Sequence, residues 1–169
     1  VLGLSAALTA GAASAQEALI IGASLPLSGS QAAAGKECQA IMQAQIDAFN
    51  REGAIGGRKL TLQLLDDGYD PQRTATNTRL LTEQGAVALL NCWGTASCAA
   101  MQPELERSQT PLIGAIAGAG ALRQQPGRMV YPLRATTRTE INAMLQQIQT
   151  LGQSQVAIVY QQDSFGQSS

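Results

Sequence analysis

The segment Asn91-Cys-Trp-Gly-Thr-Ala-Ser-Cys98 sets two thiols, two hydroxyls and a glycine side by side, directly after the apolar run from Ala86 to Leu90. Such a set can hold a metal, exchange electrons or cradle a ligand. Cys92 and Cys98 are too far apart for the Cys-x-x-Cys spacing of a redox pair or a zinc knuckle. The third thiol, Cys38, falls on the apolar face of a helix and reads as a core residue, and the chain has no histidine. Three thiols without an imidazole make a poor zinc site, so no metal is expected. Two readings of the Cys92/Cys98 pair stand open: a disulfide that closes the loop in an oxidising compartment, or two small buried thiols.

The missing histidine also removes the usual general base. No Gly-x-Ser-x-Gly elbow supplies a nucleophile, because Ser24 sits in Gly22-Ala-Ser-Leu-Pro26 with proline at the last position. Nucleotide chemistry fares no better. The run Gly29 to Gly35-Lys36-Glu37 has one residue too many between its glycines for a phosphate loop, and Glu37 replaces the hydroxyl residue that would hold magnesium. Gly118-Ala-Gly120-Ala-Leu-Arg123 ends in arginine and follows a fourth strand, where a dinucleotide fingerprint follows the first. Asp66, Asp67 and Asp70 lack calcium-loop spacing and read as structural, Asp70 as a helix cap before Pro71. No cofactor is expected.

What remains is geometry. Gly94 lets backbone approach a ligand, Thr95 offers a hydroxyl, and the start of a helix offers free N–H groups to an anion. The segment thus reads as a carboxylate cradle, against the alternative that Thr95 or Ser97 only caps its helix. Strand ends meet helix starts at Leu25 to Ser30, at Trp93 to Ser97 and at Ala117 to Gly120. In a parallel sheet these turns share one edge, where open α/β folds bind ligands.

The elements that must position these turns follow from periodicity. Leu19 to Leu25 is a buried strand, and Cys38, Ile41, Met42, Ile46 and Phe49 mark the apolar stripe of a helix over Ala33 to Glu52. Lys59 to Leu65 alternates as an edge strand. Asp70-Pro71 opens a helix through Gln84, Ala86 to Cys92 is a buried strand, and Ala96 to Ser108 is a helix bent at Pro103. Strands at Pro111 to Ile116 and Met129 to Arg134 come next. Thr137-Arg-Thr-Glu140 fits a capping box for a helix to Leu151, and Val156 to Tyr160 is a last buried strand. This order predicts a doubly wound parallel α/β sheet.

Composition bounds the function. With 45% hydrophobic and 14% charged residues the chain has a core, and a net charge of -1 with 4% aromatics offers no nucleic-acid surface. The uncharged residues 1–15, ending Ala13-Ser14-Ala15, read as the remnant of a secretory signal peptide cut before Gln16, which predicts export.

The runs IGASLPLSGSQAAAG, FNREGAIGGRKLTLQLLDDGYDPQRTATNTRLL, Gly94-Thr95, GAIAGAGALR, YPLRATTRTE and VAIVYQQDSFG share an order and spacing from Leu19 to Gly166. Together they resemble the first lobe of an extracytoplasmic solute-binding protein of the branched-chain amino acid type, with the type I periplasmic-binding fold. The resemblance implies lobe 1 over residues 16–136, and over 137–169 a crossover helix and the start of a second, truncated lobe. It implies that the turns at Gly94-Thr95 and Ala117-Gly118 hold an amino acid's carboxylate, and that Phe165 reaches in from the second lobe. Related proteins often carry Ser or Thr where Ala117 stands, Tyr where Phe165 stands, and in some members Tyr at Ala34. Trp93 either lines the pocket or packs on the sheet. The expected function is periplasmic capture of a small solute, an amino acid or other carboxylate, for an ABC-type permease, with no bond made or broken. The same fold as a receptor ectodomain is the alternative; an exported α/β enzyme is the least supported.

Overall fold

The computed structural model describes residues 17–53, 55–124 and 129–167; the leader read at residues 1–15 lies outside them. Its centre is the first apolar run. Leu19–Leu25 forms β1, buried from Ile21 onward, and pairs in parallel with β2 (Leu60–Asp66) on one side and β3 (Ala88–Leu90) on the other. β4 (Leu112–Ala115) and β5 (Val130–Pro132) extend the sheet to the order β2-β1-β3-β4-β5, every pairing parallel. The alternating segment takes the edge, as its half-apolar pattern requires. β3 is shorter than its apolar run because Asn91 turns left-handed at φ +58.

Alternation along β1 sends side chains to two layers. Ile21, Ala23 and Leu25 meet α1 (Ala32–Glu52) through Met42 and Ile46. Ile20 faces the other layer, where α2 (Pro71–Glu83) and α3 (Thr95–Ser108) supply Leu81, Met101 and Leu105 around Leu89 and Leu112. α3 runs through Pro103 without ending there. Asp70 caps α2 by accepting the Gln72 N–H at 2.8 Å. The short helices α4 (Ala121–Gln124) and α6 (Ser164–Gln167) flank the long α5 (Thr137–Thr150) in sequence.

Three expectations need correction. The α1 stripe is only partly covered: Met42 and Ile46 are buried but Ile41 is 64% exposed, since one residue along a helix turns the side chain about 100° away from its neighbour. The cap of α5 is Thr136, one residue earlier than expected; its hydroxyl accepts the Thr139 N–H at 3.1 Å, while Glu140 pairs with Arg134 and does not reach back to the cap. Val156 to Tyr160 joins no ladder, and Val159 is 98% exposed. A strand needs a neighbour for its N–H and C=O groups, and among the described residues this segment has none.

Candidate ligand-binding site

The turn between β3 and α3 is built to leave donors open. Gly94 stands at the N-cap position with φ +89 and has no side chain to cap the helix. The first N–H groups of α3 have no carbonyl a turn earlier to bond. Thr95 is the first helical residue, only 8% exposed, and its hydroxyl has no hydrogen-bond partner among the described residues. The capping reading of Thr95 and Ser97 is therefore corrected: both lie inside α3, and neither side chain caps it. Cys92 and Cys98 are joined in a disulfide with Cα atoms 5.4 Å apart, which ties the end of β3 to the first turn of α3. Cys38 is the free thiol, and burial and the neighbouring Glu37 raise its pKa.

A second turn follows β4 and is locked to the first, because the Ile116 N–H donates to the Cys92 carbonyl at 3.3 Å. Arg123 Nη1 donates to the carbonyls of Ala117 and Ala119, at 3.2 and 3.0 Å. With those carbonyls occupied, the turn's N–H groups at Ala117 and Gly118 are what it can offer a ligand. Gly118 accepts the Thr137 N–H at 2.9 Å, and a Cβ there would collide with Thr137 Oγ1. The start of α5 thus packs directly on the turn, and the Thr137 hydroxyl, like that of Thr95, is buried without a partner.

These turns border one cleft. Trp93, Gly94, Thr95, Ala117, Gly118 and Phe165, all six residues singled out in the sequence, line it together. Trp93 serves both of its readings, since it also packs on the cluster of Ala23, Leu25 and Met42. Gln31, rather than Ala34, comes from the first loop. Sequence reasoning missed Tyr69, Ile116, Arg134 and Gln161, which complete the lining. The place of Tyr69 could have been found, since the β2–α2 loop is a fourth strand end on the same edge of the sheet, but its left-handed backbone could not. Arg134 is charge-paired with Glu140 at 2.7 Å, and that bond raises the arginine pKa and lowers the glutamate's.

The aspartates behind the cleft shape its loops. Asp66 accepts the Ser28 hydroxyl at 2.6 Å and the N–H groups of Leu27, Ser28 and Gly68 at 2.8, 3.1 and 2.9 Å. The Ser28 bond above all holds its carboxyl well below the usual range, against the opposing effect of burial, and the backbone N–H groups add to it. No group of three or more His, Cys, Asp or Glu side chains among the described residues could hold a metal ion.

A family model described as periplasmic binding protein matches residues 19–169. The chain belongs to that family. Its parallel sheet with helices on both faces is the type I periplasmic-binding fold. A substrate-binding periplasmic protein from Ralstonia solanacearum is similar at 33% identity and TM-score 0.83, over 89% of this chain and 43% of its own. A possible leucine/isoleucine/valine-binding protein from Rhodopirellula baltica SH 1 is similar at 32% identity and TM-score 0.84, over 91% and 42%. An extracellular ligand-binding receptor from Verminephrobacter eiseniae is similar at 27% identity and TM-score 0.84, over 89% and 43%. The chain therefore spans less than half the length of these structures. No curated protein matches it in sequence. Among the described residues no helix is long and apolar enough to cross a membrane.

Proposed function

We propose that this chain is one wall of an extracytoplasmic solute-binding site that captures a small carboxylate and hands it to an ABC-type permease, without chemistry on the ligand. In this reading residues 16–136 form lobe 1, residues 137–169 cross toward a second lobe, and the protein acts in the periplasm after removal of residues 1–15. The carrying observation is the Thr95 hydroxyl, buried and unpartnered beside the uncapped start of α3. Burying a hydroxyl without a partner is costly, and a ligand oxygen seated there would remove that cost. A carboxylate suits the position better than a neutral group, because the helix start carries partial positive charge. The likeness to a possible leucine/isoleucine/valine-binding protein supports a ligand of amino-acid size.

The test is calorimetry on the intact protein with carboxylic acids and their primary amides. The acids should bind roughly twofold to thirtyfold tighter, since hydrogen bonds to a charged group contribute roughly 1.5–3 kcal/mol against about 1 for neutral ones. Amides that bind as well as their acids would rule out an anion cradle.

A further inference from the structure

Tyr69 holds a backbone conformation that glycine would adopt at little cost and a bulky residue adopts only under constraint. It has φ +68 and follows Gly68 at φ +58. The constraint comes from beneath the loop. Asp67, 1% exposed, accepts the Tyr69 N–H at 2.9 Å through Oδ1 and the Ser24 hydroxyl at 2.9 Å through Oδ2. Asn77 Nδ2 in turn donates to the Ser24 hydroxyl oxygen at 3.1 Å. Strain held in place by buried partners points to use of the side chain it presents.

That side chain lies over the cradle. A Cβ added at Gly94 would sit 2.7 Å from Tyr69 Cε2 and 3.0 Å from its hydroxyl oxygen, so glycine at 94 is what lets the ring come this close. The half-buried ring borders the cleft beside Thr95, with Trp93 and Phe165 on the same lining. The chain has three Tyr, one Trp and two Phe, so half of its aromatic residues meet here. Among the described residues no carboxylate side chain lines this cleft. Asp163 borders the adjoining hollow, but its oxygens are taken by the N–H groups of Phe165 and Gly166 and by Gln161 Nε2. This wall sets no free carboxylate against an ammonium group, and it offers a flat apolar body three rings.

Resting on the carboxylate reading of the Gly94-Thr95 turn, we propose that Tyr69 is the specificity-determining residue of the cleft and selects carboxylates with a flat aromatic body. The ligand's ring stacks offset against Tyr69 while its carboxylate meets the Thr95 hydroxyl and the first N–H groups of α3. Aromatic pairs gain more than their buried area alone provides, which separates such a ligand from an aliphatic one of equal size.

The experiment is calorimetry on the intact protein with phenylacetate and with leucine, for the wild type, Tyr69→Phe, Tyr69→Leu and Thr95→Val, each checked for folding by thermal melting. Phenylacetate should bind roughly tenfold tighter than leucine, Tyr69→Leu should reduce that preference roughly twofold to tenfold, and Tyr69→Phe should keep it. Leucine binding as tightly as phenylacetate overturns the proposal. So does a folded Tyr69→Leu whose preference is unchanged; should that variant not fold, the wild-type preference decides. Tight leucine binding that Thr95→Val weakens defeats the aromatic selection alone and leaves the cradle standing. Affinities for both acids that Thr95→Val leaves untouched defeat the cradle, and the proposal with it.

Discussion

Thr95→Val separates affinity from stability, because the structure assigns them opposite signs. Valine keeps the volume and the β-branch, so helix propensity barely changes and the first turn of α3 retains its shape. What is lost is one hydroxyl that has no hydrogen-bond partner among the described residues. Without ligand, that loss removes a desolvated polar atom whose burial costs roughly 1–3 kcal/mol on protein scales. The variant should therefore be as stable as the wild type or more stable by about 1 kcal/mol. With ligand, the same change deletes a donor to a carboxylate, which costs about 1.5–3 kcal/mol. Affinity should fall roughly tenfold to hundredfold. Urea denaturation of the ligand-free protein and calorimetry with the tightest-binding acid measure the two quantities independently. A lower urea midpoint with affinity unchanged would show that the hydroxyl serves the fold, and the cradle argument would fail.

Two further outcomes follow from the same geometry. Gly94→Ala should lower stability by more than about 1 kcal/mol, because it forces a side chain into φ +89 and into the Tyr69 ring; urea denaturation should show it, together with a changed tyrosine fluorescence. Asp66 has a folded-state pKa below its unfolded value, so its stabilisation is full above the unfolded pKa and is lost as pH falls through the folded one. The urea midpoint should therefore drop below about pH 4, and Asp66→Asn should drop less steeply; equal slopes would mean that the Ser28 and backbone bonds to Asp66 do not form in solution.

The sheet was legible because its signals are local. Leu19 to Leu25, the alternation of Leu60, Leu62 and Leu64, and the Asp70-Pro71 cap each specify their element within a few residues, and the parallel order follows from their alternation with helices. Errors arose where a neighbour outvoted the local signal. Thr137 has the spacing of a capping box, yet Gly118 draws it into the first turn of α5 by accepting its N–H, which leaves Thr136 at the cap. Val156 to Tyr160 has strand composition, but composition provides no partner for its backbone.

The cleft was half legible for a related reason. Gly94-Thr95 and Ala117-Gly118 announce themselves as glycine-bearing turns after apolar runs, so a rule about sheet edges was enough to gather them. Tyr69 does not announce itself, because its role depends on a left-handed φ that neither Tyr nor the Asp67-Gly-Tyr-Asp70 run encodes alone. It arises from Asp67 reaching both Tyr69 and Ser24, residues whose partnership exists only once β1 and β2 lie in register, with Ser24 beside Leu65 and Leu25 beside Asp66. The aspartates that a sequence reader sets aside as structural are thus what place the ring at the cradle. Asp67 holds the Tyr69 N–H and the Ser24 hydroxyl, so substitutions at Asp67 should alter affinity and ligand preference together, as a loosened wall would, rather than remove a single contact.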